Sequence, residues 1–91
     1  MRLTILNRRW LLQFVPWIDT KRSRGECDPP DKPNKEIRVL ERLVGEERLE
    51  VLVHEMLHAA SWHLDEEYVK QFAQDMARNL TKLGYTDGKT D

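Results

Sequence analysis

A chain of 91 residues, with 40% hydrophobic and 34% charged positions, has the balance of one small globular domain spanning 1–91. Its formal charge of −1 supplies no field to draw in nucleic acid or a membrane surface, and its single cysteine, Cys27, excludes an internal disulfide framework. No stretch has the length of a transmembrane helix, and Asn7, Arg8 and Arg9 break the N-terminal apolar run too early for a secretory signal. The expectation is a soluble, cytoplasmic protein with no nucleic-acid or membrane partner.

Leu3–Leu6 and Trp10–Val15 read as two strands of a hairpin, with Asn7, Arg8 and Arg9 turning the chain and Pro16 ending the second run. Positions 19–35 show no period. Asp19 to Arg24 is polar, Gly25 permits a turn, and Pro29, Pro30 and Pro33 forbid a helix, so a long loop is expected. Ile37 and Val39 then alternate with charges, which predicts a third strand over Ile37–Leu40; a helix starting at Pro33 is the competing assignment. Sheet and loop together occupy 3–43.

From Glu46 to Ala60 the period changes. Leu49, Leu52, Val53, Met56, Leu57 and Ala60 recur at three- and four-residue steps, the mark of an amphipathic helix over 46–60. His54, Glu55 and His58 project from its other side. After a short connection, Asp65 is an N-cap, with Glu66 and Glu67 in a first turn that favours acidic side chains. Val69, Phe72, Ala73, Met76, Ala77 and Leu80 stripe a second helix over 65–83, closed by Gly84. Residues 84–91 are polar and read as a frayed tail. The expected class is α+β: a small three-stranded sheet followed by two helices.

Residues four apart on a helix share one face, so His54 and His58 can aim two imidazoles at one metal ion. Glu55 lies about 100° around the helix. That suits a general base acting on a metal-bound water better than a ligand. Two of only three histidines fall at this spacing, and one zinc ion per chain is the expected cofactor. A catalytic zinc takes three protein ligands and keeps one open position. The third ligand could be His63, Glu66 or Glu67. His63 stands one residue short of the metzincin spacing and lacks its glycine. Glu66 heads the core-facing stripe of the second helix, whereas Glu67 lines up with Gln71 and Gln74 on a polar face, so Glu66 is the favourite.

With His54-Glu55-Met56-Leu57-His58 followed by Glu66-Glu67-Tyr68-Val69-Lys70-Gln71-Phe72-Ala73, the chain resembles small zincin-like metallopeptidases of the gluzincin type, above all the one-domain minigluzincins and short prokaryotic and phage members. The resemblance covers residues 36 to 83. It implies a zinc site of His54, His58 and Glu66, Glu55 as the catalytic base, and a peptide or protein substrate. It also implies that the strand before the active-site helix, here Ile37, Arg38, Val39 and Leu40, is an edge strand that pairs with extended substrate. No tyrosine or histidine matches the family's transition-state donor, and the 19–35 loop has no counterpart there. Tyr68, Tyr85, His63 or a loop arginine could supply that donor.

A second expectation keeps the zinc but not the activity: a protein-interaction module with the same site. A nucleic-acid reading rests only on Arg8-Arg9 and Lys21-Arg22-Ser23-Arg24, short runs that are ordinarily solvated. Cys27 reads as a small half-buried thiol, with inhibitory zinc ligation as the alternative. Trp10, Trp17 and Trp62 read as core or cleft-edge packing.

Overall fold

The computed structural model describes residues 1–19 and 23–88. Its order is β1 (Arg2–Ile5), β2 (Arg8–Val15), β3 (Gly25–Cys27), β4 (Glu36–Leu40), α1 (Gly45–Ala60) and α2 (Glu66–Lys82). The class is α+β, with four strands rather than three. They form one mixed sheet in the order β1-β2-β4-β3, in which β2 and β4 are parallel and the other two pairs antiparallel.

The β1–β2 hairpin turns on two residues, since Ile5 pairs with Arg8. Leu6 (φ +48°) and Asn7 (φ +66°) are both left-handed, the pattern of a type I′ turn. Asn7 suits it, whereas Leu6 occupies it with its side chain 74% exposed. The turn therefore lies earlier than the sequence suggests, and Arg8 and Arg9 belong to β2. Along β2, Trp10 and Leu12 are buried while Arg9 and Gln13 are exposed, the two-residue alternation of a sheet with one packed face. In β4, Ile37 and Val39 are fully buried against them. Each such side chain contributes about 1.5–3 kcal/mol by leaving water. The competing helix from Pro33 does not form.

Strand β3 lies inside the segment expected to be loop. Its bonds to β4 are reinforced on the outer face of the sheet by Arg38. That guanidinium donates to Glu26 at 2.6 Å, Asp28 at 2.6 Å and Glu36 at 3.1 Å. Burial works against the Asp28 charge, but Arg38, the Glu36 amide and Lys32 outweigh it and hold its pKa below the ordinary 3.8.

Helix α1 packs against the sheet on one side and α2 on the other, and α2 touches no strand. The fold thus has three layers: sheet, α1, α2. The buried line of α1 is Val51, Glu55 and Ala59, and that of α2 is Val69, Ala73 and Ala77. The apolar arc expected to be the packed face of α1 is only half-buried at Leu49, Leu52, Val53, Met56, Leu57 and Ala60. A middle-layer helix needs apolar surface nearly all round. Asp65 caps α2 by accepting from the Tyr68 amide at 3.1 Å. In the described part of the tail expected to fray, Asp87 forms an ion pair with Arg48 of α1, whose guanidinium lies 3.9 Å over the Phe14 ring. Residues 89–91 lie outside the described residues. Among those described, no helix is long and apolar enough to cross a membrane.

The Arg38 cluster yields a pH prediction. Because the folded pKa of Asp28 is depressed, its contribution is complete above its unfolded value and is lost as pH falls through the folded one. Urea unfolding should place Arg38→Ala about 2–3 kcal/mol below the wild type at neutral pH. The gap should narrow as pH drops below about 4.

Candidate metal centre

His54 and His58 lie one turn apart on α1, both half-buried, where the layers formed by the sheet and α2 part. Glu66 enters from the first turn of α2, beside the capping Asp65. The donor atoms converge. His54 Nε2 and His58 Nε2 are 3.2 Å apart, and the two Glu66 oxygens stand 2.9 Å from one Nε2 each. Around a tetrahedral ion with bonds of about 2.0–2.1 Å, neighbouring donors stand about 3.3 Å apart. The Nε2–Nε2 separation matches that figure, and one donor atom from each of the three residues lies within 4.8 Å of the others, so this group could hold one metal ion. With each imidazole proton on Nδ1, both Nε2 atoms and the carboxylate turn lone pairs to the common point, as ligands of a cation would; with it on Nε2, the imidazoles donate to Glu66 instead. Burial lowers the pKa of His54; Glu66 opposes this, and His58 and Arg24 add to it. The neutral, ligating form is thereby favoured.

Glu55 is not on an open face. It is 7% exposed, on the buried line of α1 beneath β3. The strand approaches so closely that a Cβ on Gly25 would lie 2.7 Å from Val51 Cγ1 and 3.1 Å from Glu55 Oε2. Arg24, just before the strand, fastens it to the helix by donating to Glu47 and Glu50 at 3.0 Å each. Burial, with Glu66 and Glu26 nearby, pushes the Glu55 carboxyl up to about 7.

Two clefts share Glu55 and Glu66. The one on the His54 side, about 240 Å³, is lined by Arg24, Gly25 and Lys70. The one on the His58 side, about 310 Å³, is lined by Cys27, Trp62 and Leu64. Burial, with Glu55 and Asp28, pushes the Cys27 thiol up to about 12, and it donates to the Asp28 carbonyl at 3.3 Å. Cys27 is thus a neutral thiol on the wall, outside the donor group.

Of the residues singled out from sequence, His54, His58 and Glu66 come together, with Glu55 alongside. Glu67 and His63 are exposed and do not join the group among the described residues. The edge-strand expectation for Ile37–Leu40 is corrected. That strand is β4, hydrogen-bonded to β2 on one side and β3 on the other. Ile37 and Val39 are fully buried, Leu40 is 7% exposed and Arg38 is committed to three carboxylates. The strand at the edge over α1 is β3, Gly25–Cys27. Three residues in a Gly- and Pro-rich context carry no readable alternation; the nearest signal is Glu26 and Asp28 flanking Cys27, partners for an arginine on the next strand. Lys21 and Arg22 lie outside the described residues. Compared with known proteins, the chain matches no family model, no curated protein and no solved structure.

Metal analysis should find one divalent ion per chain in the wild type. His54→Ala, His58→Ala and Glu66→Ala should lose it, while His63→Ala and Glu67→Ala keep it. Gly25→Ala should destabilise the chain by about 1–3 kcal/mol, read from denaturant midpoints, because Val51 must move to admit the methyl group.

Proposed function

We propose that the chain is a zinc-dependent peptidase of the gluzincin type, acting on a peptide or protein substrate. One observation carries it: a His54–His58–Glu66 group able to hold a metal stands beside a buried carboxylate, Glu55, beneath an open strand edge. Two imidazoles and a carboxylate are a catalytic zinc donor set, leaving one position free. Zinc bound there would polarise the scissile carbonyl and bring the pKa of a water to about 7.

The chain's own residues do the rest. With its carboxyl near 7, Glu55 can take a proton from the attacking water at neutral pH and hand it to the leaving amine. The outer edge of β3 has no partner strand among the described residues and offers backbone groups to an extended peptide, the role expected of Ile37–Leu40. Arg24 and Lys70 line the cleft on the His54 side and are candidates for the second donor to the carbonyl oxygen. Tyr68 stacks on Phe72 at 6.2 Å between centroids and is 56% exposed. A single free cysteine fits a reducing compartment, and we place the protein in the cytoplasm.

The close fit of Glu55 beneath Gly25 favours a second possibility, a catalytically silent zinc-binding interaction module, because it leaves little room for a water and a peptide. The two separate on one variant. Zinc-loaded wild type should cleave casein or members of a peptide library. Glu55→Gln should retain its zinc and lose activity by at least about 100-fold. Stoichiometric zinc with no cleavage by the wild type would leave the silent module.

A further inference from the structure

A cleft of about 610 Å³ opens between the β1–β2 hairpin and the residues leading into β4. Its charged lining is Arg2, Arg8, Arg9 and Lys35 against a single acid, Glu36. Three arginines elsewhere in the fold are neutralised. Arg24 pairs with Glu47 and Glu50, Arg38 with Glu26, Asp28 and Glu36, and Arg48 with Asp87. Among the described residues, no carboxylate reaches Arg2, Arg8, Arg9 or Lys35 at ion-pair distance. The Glu36 carboxylate is already engaged, accepting from Gln13 at 3.2 Å and Arg38 at 3.1 Å.

These cations are presented by regular structure. Arg2, Arg8 and Arg9 occupy paired positions of the hairpin, opposite Leu11, Ile5 and Thr4. Lys35 is anchored twice: its Nζ lies 5.5 Å over the Trp10 ring, and its carbonyl accepts from the Leu11 amide at 3.1 Å. Four cations thus line one cleft whose single acid is already engaged, and nothing in the folding of the sheet requires them there.

We propose that this cleft binds a small polyphosphoryl anion, a diphosphate or triphosphate group, either inorganic or carried by a nucleotide. One guanidinium fork saturates a planar carboxylate. Three arginines on two strands, with an ammonium from a third segment, call for more oxygens spread in three dimensions, which linked phosphoryl groups provide. A nucleic-acid strand fits less well. It needs a basic track of many contacts, and the chain as a whole carries −1.

The test is titration of the full-length, metal-loaded, isotope-labelled chain, followed by NMR, with inorganic phosphate, pyrophosphate, a nucleoside diphosphate and a short single-stranded oligonucleotide. Pyrophosphate should shift Arg2, Arg9, Leu11 and Lys35, bind at least about tenfold more tightly than phosphate, and weaken as salt rises. Arg9→Glu, and separately Arg2→Glu, should weaken it by at least about tenfold, whereas Arg78→Glu on exposed α2 surface should not. A nucleoside diphosphate binding more tightly than pyrophosphate assigns the group to a nucleotide; equal binding assigns it to the inorganic anion. The proposal falls if shifts appear only at His54 and His58, which would mean chelation at the metal centre. It falls equally if the oligonucleotide binds more tightly than pyrophosphate, or if both reversals leave binding unchanged.

Discussion

At Gly25, strand β3 rests on helix α1 with no space for a side chain between them, and the arrangement of the candidate site follows from that contact. Only glycine at position 25 lets the backbone come down onto Val51 and Glu55. Arg24 clamps one end of the strand to Glu47 and Glu50 of the helix. Arg38 binds its middle and far end to the sheet through Glu26 and Asp28. With the strand fixed on both sides, Glu55 is roofed and its carboxyl rises to about 7, while the edge of β3, without a partner strand among the described residues, shares a cleft with His54 and Glu66.

The layered order explains why polar groups survive at this depth. Helix α1 is covered by the sheet on one side and by α2 on the other. A helix so placed has only narrow seams open to water. His54 and His58 occupy one such seam, and the first turn of α2 delivers Glu66 across it. The packing that buries Val69, Ala73 and Ala77 against α1 therefore also sets where the third donor stands. Tertiary contact and site geometry are one constraint here.

Much of this was legible from the residues. Helix periods, the Asp65 cap and the Ile37–Val39 alternation reported local structure, and local structure is what spacing encodes. His54 and His58 were readable as a pair because four residues make about one turn. Glu66 stood out over Glu67 because the stripe of Val69 and Ala73 fixes which way the helix faces. What could not be read was pairing across distance. Gly25–Cys27 becomes a strand only because β4 lies alongside it, and three residues hold no period of their own. The same non-local pairing moved the sheet edge from β4 to β3. The burial of Glu55 was hidden for a related reason: a charged residue on a middle-layer helix looks solvent-facing until both neighbouring layers are known. The tie between Asp87 and Arg48 spans 39 positions, a separation at which neither composition nor period carries information.

Glu66 differs from its two companions in one respect that bears on access rather than affinity. His54 and His58 are half-buried on a helix packed on two sides, whereas the Glu66 side chain is 64% exposed on the opening turn of a helix packed on one. Swinging that carboxylate outward about its side-chain torsions would disturb no core contact. An ion held by the three would therefore have its path to solvent on the Glu66 side, opened by a surface side chain without unfolding. The two imidazoles would stay in place throughout, keeping the vacated site shaped for its next occupant.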